Sequence, residues 1–87
     1  MTEEELIKGC IQNNQHYQRL LFEKYAGKMM SLCVRFTNNE QDAQDILQEG
    51  FIKVFDAIYQ FKFEGSSEGW IRWVFTSIPT RKVSKLK

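Results

Sequence analysis

Apolar residues recur every three or four positions along most of this chain, which is the spacing of one face of an α-helix. Polar clusters at residues 13–15 and 37–39 separate the first three apolar stretches, and a polar loop at residues 60–69 precedes the fourth. The apolar positions are Leu6, Ile7, Cys10 and Ile11; Tyr17, Leu21, Tyr25, Met29, Leu32, Cys33 and Phe36; Ala43, Ile46, Leu47, Phe51, Val54, Phe55 and Ile58; and Trp70, Ile71, Val74, Phe75 and Ile78. No segment alternates with a period of two, so the pattern predicts an all-α, compact bundle of three to four helices.

Local signals indicate where these helices begin and end. Thr2 and Glu5 have the spacing of a capping box, in which a hydroxyl accepts from the backbone N–H three residues later. The polar residues 37–39 supply the next helix start, and Pro79 ends the last helix because a proline pushes the preceding residue out of helical geometry. We therefore expect a helical domain over residues 1–78 and a basic tail without fixed structure at residues 79–87.

The charge of the chain is nearly balanced overall but unevenly distributed. The 87 residues include 12 Lys and Arg against 11 Asp and Glu, which is room for one small domain with a net charge of +1. Residues 1–60 hold nine acids and six bases, whereas residues 61–87 hold two acids and six bases. The body is thus acidic and the end basic, and this separation bears on the choice of partners.

Several functional classes are excluded by what the chain lacks. No apolar run approaches the roughly 20 residues of a membrane span, and the acidic start is unlike a signal peptide, so a cytoplasmic location is expected. Cys10, Cys33 and the single His16 are too far apart for a zinc pattern, and we interpret the cysteines as reduced core thiols. A phosphate-binding loop and a nucleophile–base pair are also missing, so we expect no cofactor, no metal and no enzymatic activity.

The third predicted helix places its carboxylates on one side. Asp42, Asp45, Glu49 and Asp56 follow one another at steps of three, four and seven, which aligns them on the face opposite the apolar residues. One interpretation is a solvated helix face. The other is a docking face for a basic partner helix, since like charges at this spacing repel each other weakly and binding a basic partner would offset that repulsion.

The segment at residues 42–55, DAQDILQEGFIKVF, resembles region 2.2 of bacterial extracytoplasmic-function sigma factors, whose typical form is D-A-E-D-L-x-Q-x-x-F. The resemblance covers about residues 4–72. It departs mildly at Gln44, where glutamate is usual, and at Gly50, which weakens the helix locally. It implies that this helix docks on the clamp coiled coil of the largest subunit of RNA polymerase. The matching residues are Asp42, Asp45, Gln48, Glu49 and Phe51, flanked by Ile46 and Leu47.

Aromatic and basic residues gather near the loop and the last helix. They are Phe61, Lys62, Phe63, Trp70, Arg72 and Trp73. Single-stranded DNA needs aromatic faces for its bases and cations for its phosphates. The simpler interpretation is that Phe61 and Trp70 close the core, which leaves Arg72 and Trp73 as the surface candidates. The resemblance implies that this segment opens the promoter −10 element and holds a flipped base of the non-template strand.

After Arg72 the sequence departs from the family's pattern. The asparagine and the aspartate of the family's next helix are absent, and Pro79 interrupts the helix where base-contacting side chains are expected. In the tail, Arg81 and Lys82 can neutralise phosphates independently of sequence, although a solvated terminus is the simpler interpretation. The resemblance therefore implies polymerase docking more directly than promoter recognition.

The expected function is that of a sigma factor region 2 domain in transcription initiation. The partners that the resemblance implies are core RNA polymerase, the non-template single strand of promoter DNA and an anti-sigma factor. An alternative is an interaction module that binds polymerase or an antagonist without sequence-specific DNA binding. A dimeric helix-turn-helix regulator is disfavoured because Arg72 alone in the last helix is of the type that contacts base edges.

Overall fold

Each of the four α-helices begins at a side chain that caps it in the computed structural model, which describes residues 1–77. The capping oxygen accepts a hydrogen bond from a backbone N–H of the first turn, a donor that helix geometry leaves without an internal partner. The pairs are Thr2 with Glu5 at 3.1 Å, Asn14 with His16 at 2.9 Å, Asn39 with Asp42 at 2.8 Å and Ser66 with Gly69 at 3.1 Å. The predicted cap of α1 by Thr2 is thus present, and the Glu5 carboxylate reaches back to accept from the Thr2 hydroxyl at 3.3 Å.

The helices follow the order predicted from the apolar spacing. They are α1 (Glu3–Ile11), α2 (Gln15–Phe36), α3 (Glu40–Ala57) and α4 (Ser67–Thr76), with one turn of 3-10 helix (Ile58–Gln60) continuing α3. No strand occurs within residues 1–77. Helix α2 packs against α1 and α3, and α4 packs against α3 and α2. The predicted all-α fold is therefore confirmed.

The last helix is the element whose bounds differ from the prediction. The loop was expected to extend to Gly69, but α4 already begins at Ser67 because Ser66 caps it. The helix ends at Thr76, and the backbone N–H of Ser77 still donates to carbonyls of its last turn. Pro79 and the predicted tail at residues 79–87 lie outside the described residues, so those predictions stay predictions.

The core is built from the apolar faces of all four helices. Phe51 lies at its centre, with ring centroids 4.8 Å from Phe22 and 5.4 Å from Phe75, both in edge-to-face geometry. Cys10 and Cys33 are buried free thiols, as predicted, and burial raises the pKa of each to about 11. Both cysteines therefore act as small apolar core residues.

Two glycines allow helices to approach more closely than any other residue would. A Cβ atom on Gly50 of α3 would lie 2.3 Å from the ring of Phe75 in α4, and one on Gly9 of α1 would lie 2.3 Å from the ring of Tyr17 in α2. Gly50, which we expected only to weaken its helix, instead provides the space in which α4 is seated.

The carboxylate of Glu3 joins three helices. It accepts hydrogen bonds from Lys24 and Ser67, and from the hydroxyl of Tyr25 at 2.6 Å. Burial alone would raise the pKa of Glu3, but the hydrogen bonds from Lys24, Ser67 and Tyr25 lower it below its ordinary value of 4.5. This cluster links α1 to both α2 and α4.

A Gly50→Ala variant tests the close packing of α3 and α4. The new methyl group must displace the buried ring of Phe75, and overpacking of this kind costs about 1–3 kcal/mol of unfolding free energy. Gly27→Ala in α2 is the matched control, because its Cβ would meet nothing within 4 Å. We expect that control to gain about 0.5–1 kcal/mol from helix propensity. Chemical denaturation of both variants measures the difference, and equal effects would contradict the packing assignment.

The lowered pKa of Glu3 predicts a specific pH dependence of stability. Its contribution is present above the pKa that Glu3 has in the unfolded chain, and it is lost as the pH falls through the lower folded-state pKa. Discounted for partial exposure, the charged hydrogen bonds contribute about 1–2 kcal/mol at pH 7. Glu3→Gln should therefore be less stable than the parent at pH 7, and the gap should narrow as the pH falls below 4.5. A gap independent of pH, measured by urea denaturation, would contradict the assignment.

Candidate functional site

The acidic face of α3 is the side of that helix turned away from the core, formed by Asp42, Asp45, Glu49 and Asp56. Glu49 and Asp56 are exposed, while Asp42 and Asp45 are partly buried. The side-chain amide of Asn39 donates to the carboxylate of Asp42 at 3.3 Å, so this residue also takes part in the helix cap. The face is held outward because the opposite side of α3 is buried in the core.

Two of the seven predicted docking residues are core residues. Ile46 is 4% exposed and Phe51 is 3% exposed, and Phe51 is surrounded by other aromatic rings. Direct contact with a partner is closed to both side chains in this structure, and they hold α3 in place instead. The amphipathic period explains this, since positions 46 and 51 fall on the buried stripe of the helix.

A groove of about 270 Å³ lies beside the acidic face, between α2 and α3. Its walls are Phe22, Gln41, Gln44, Asp45, Leu47 and Gln48. Phe22 is 38% exposed and rests edge-on against Phe51, so it offers an apolar surface next to the carboxylates. Sequence reasoning missed Phe22 because it lies one position outside the apolar stripe of α2. Its size and its place beside Leu21 were the available signal.

The aromatic cleft is a second surface, between the loop after the 3-10 turn and α4. It has a volume of about 440 Å³ and is lined by Gln60, Phe61, Lys62, Glu64, Ser66, Trp70 and Trp73. The ring centroids of Phe61 and Trp70 are 5.6 Å apart, which fixes the floor of the cleft. Trp73 is 63% exposed at its edge, one helical turn after Trp70. The structure thus brings together four of the predicted residues: Phe61, Lys62, Trp70 and Trp73.

Phe63 and Arg72 lie elsewhere. Phe63 packs edge-on against Phe61 at 5.1 Å, but it lines a separate groove of about 180 Å³ against α1. Arg72 donates to Glu68 at 3.1 Å, and Lys28 of α2 reaches the same carboxylate at 2.9 Å. The hydrogen bond from Lys28 lowers the pKa of Glu68, and the charge of Arg72 adds to this. Arg72 therefore lies on the side of α4 that faces α2.

The residues predicted to contact DNA and the residues that line the cleft are not the same set. Arg81 and Lys82 lie outside the described residues, so their predicted contact with phosphates stays a prediction. Gln60, Glu64 and Ser66 line the cleft but were missed, because no periodic pattern marks loop positions. The one local signal that could have identified any of them is the capping pattern of Ser66, which marks the start of α4.

Within residues 1–77, no group of three or more His, Cys, Asp and Glu side chains is arranged to hold a metal ion. No helix in this part of the chain is both long enough and apolar enough to cross a membrane.

Comparison with known proteins identifies one matching family and several curated relatives. The family described as Sigma-70 region 2 matches residues 21–81. This match continues nine residues past Arg72, so the resemblance extends further along the chain than the motif comparison indicated. No solved structure matches the chain significantly.

Three curated relatives show the same similarity. The RNA polymerase sigma-H factor of Pseudomonas aeruginosa is 32% identical over 69 residues, which is 79% of this chain and 36% of that protein. The ECF RNA polymerase sigma factor SigE of Mycolicibacterium smegmatis is 33% identical over 58 residues, 67% of this chain and 22% of the relative. SigW of Bacillus subtilis, also an ECF RNA polymerase sigma factor, is 30% identical over 81 residues, 93% and 43% of the two chains. The chain thus spans less than half the length of each.

Proposed function

Because this chain belongs to the Sigma-70 region 2 family, we propose that it is the polymerase-binding and promoter-opening part of an extracytoplasmic-function sigma factor. The observation that carries the proposal is the division of α3, whose acidic motif residues Asp42, Asp45 and Glu49 lie on the outward side while its apolar side is buried. The mechanism is recruitment, with one surface for the polymerase and another for unpaired DNA. Stacking of bases, and no nucleotide hydrolysis, supplies the free energy for strand opening.

The acidic face of α3 is the proposed contact for the clamp coiled coil of core polymerase. Asp45 and Glu49 supply charges that complement a basic helix and steer its approach. Gln48 offers hydrogen bonds, while Leu47 and Phe22 add apolar area beside the charges. An interface of this kind gains specificity from the charges and affinity from the apolar contacts that they surround.

The aromatic cleft is the proposed contact for the non-template strand. An unpaired base stacks on the exposed ring of Trp73, and Lys62 is placed to neutralise a neighbouring phosphate. Phe61 and Trp70 support the cleft from below. The carboxylate of Glu64 at the rim disfavours phosphate contact there and restricts the path of the backbone. Double-stranded DNA would have to flip a base out of its stack before that base could bind in this cleft.

The two surfaces do not compete for one ligand. DNA phosphates are repelled by the carboxylates of the acidic face, and a basic coiled coil finds few opposite charges at the cleft, where Glu64 is the acidic residue. An anti-sigma factor is a further proposed partner, because a protein that covers the acidic face would block access to polymerase.

A second candidate function is an interaction module that binds polymerase or an antagonist without sequence-specific DNA binding. The position of Arg72 favours it, because this arginine is paired with Glu68 and does not line the cleft. The end of α4 at Thr76 also leaves this helix only ten residues. Polymerase binding without oligonucleotide binding would support this candidate over the first.

The double variant Asp45→Lys with Glu49→Lys tests the docking surface. Two reversed charges at a complementary interface cost several kcal/mol in total, so we expect affinity for core polymerase to fall about 100-fold or more. Glu4→Lys with Glu64→Lys is the control with the same change of net charge outside α3. Co-purification with core polymerase and circular dichroism measure binding and folding. Binding of the α3 variant at the parent level would contradict the assignment.

Trp73→Ala tests the aromatic cleft. Loss of one stacked base costs about 1–3 kcal/mol, which corresponds to about 5- to 100-fold weaker binding of a single-stranded −10 element oligonucleotide. Tyr59→Ala is the matched control, since Tyr59 is an equally exposed aromatic residue that does not line the cleft. Fluorescence anisotropy measures both affinities, and equal losses in the two variants would contradict a role for the cleft.

A further inference from the structure

Glu3 lies at the first position of α1, yet its carboxylate contacts the other end of the described chain. One oxygen accepts from Lys24, and the other accepts from both Tyr25 and Ser67. The hydroxyl groups of Tyr25 and Ser67 are themselves 3.4 Å apart, and both residues are buried. Glu3 thereby ties the first residue of α1 to the first residue of α4.

The loop that ends at this contact is conformationally demanding. It comprises residues 61–66 and includes two residues in the left-handed backbone region, Phe63 with φ of 59° and Gly65 with φ of 81°. A residue with a Cβ atom adopts this region only when its surroundings hold it there. The buried ring of Phe61 holds the beginning of the loop, and Ser67 holds its end.

Helix α1 also supports the reverse side of the same loop. The groove that contains Phe63 is lined on its other wall by Glu3, Glu4 and Ile7 of α1. The loop therefore lies between α1 on one side and the aromatic cleft on the other. Phe61 lines both spaces, so a movement of the loop relative to α1 would change the shape of the cleft.

We propose that Glu3 is a positioning residue for the aromatic cleft: by holding Ser67 and Tyr25 it fixes the loop in the shape that accepts an unpaired base. This inference rests on the proposed function of the cleft. Glu3 itself does not line the cleft and acts through Ser67. A loop that is already ordered loses less conformational entropy when the oligonucleotide binds, so Glu3 raises affinity without touching DNA.

Three variants, each of which loses one negative charge, test this role. Glu3→Ala removes all three hydrogen bonds, and Glu3→Gln keeps an acceptor oxygen for the two hydroxyl groups. Glu23→Ala is the control, because it removes an exposed carboxylate of α2 that lines neither the cleft nor the groove behind the loop. Each variant loses one negative charge, which by itself favours DNA. Positioning predicts that Glu3→Ala binds a single-stranded oligonucleotide about 3- to 10-fold more weakly than the parent. It also predicts an intermediate affinity for Glu3→Gln and parent affinity or better for Glu23→Ala.

Hydrogen exchange gives a readout that does not depend on DNA. In Glu3→Ala, amides of residues 61–67 should exchange at least threefold faster than in the parent, whereas amides of α3 should accelerate by no more than the measured loss of global stability accounts for. Binding to core polymerase should be unchanged. If exchange at residues 61–67 is the same in the parent, Glu3→Ala and Glu23→Ala, the positioning role is overturned. Equal oligonucleotide affinity of parent and Glu3→Ala overturns it as well. A parent that binds no oligonucleotide while the exchange difference is present overturns the proposed DNA function and leaves the loop contact in place.

Discussion

The close approach of Phe75 to Gly50 is the contact on which the arrangement of both surfaces depends. The aromatic ring occupies the space that a side chain on α3 would need, and it also meets Phe51 edge-on. Helix α4 is seated by this contact, and α4 bears both tryptophans of the aromatic cleft. Since the acidic face lies on the other side of the same α3, one packing contact fixes where both proposed partners bind.

Much of the fold follows from local rules that the sequence displays. Apolar spacing predicts the helices, and the cap at Thr2 and the polar cluster before Glu40 predict where two of them begin. The role of Gly50 cannot be predicted from local rules. By itself, a glycine within a helix indicates only lower helix stability, and its packing role becomes clear only when the ring of Phe75 is seen against it. The contact between Glu3 and Ser67 spans 64 positions, and no local pattern encodes it.

Site residues could be predicted from the sequence where helical periodicity determines which side of a helix they lie on, and could not be predicted in the loop. The outward direction of Asp45 and Glu49 follows from the buried stripe of α3, and that stripe also explains why Ile46 and Phe51 are core residues. Trp70 and Trp73 share a face because they are three residues apart. Phe63 instead faces α1 because of a left-handed backbone angle, which no propensity reveals for a phenylalanine.

The central claim is that one small bundle has two separate surfaces, an acidic face on α3 and an aromatic cleft beside α4. Two nuclear magnetic resonance titrations of the isotope-labelled chain test it most directly, one with a single-stranded −10 element oligonucleotide and one with the isolated clamp coiled coil of polymerase. The account predicts that DNA shifts the indole N–H signal of Trp73 and the amides of residues 60–66. The coiled coil should instead shift the amides of Asp45, Gln48 and Glu49. Overlapping sets of shifted signals in the two titrations would contradict it.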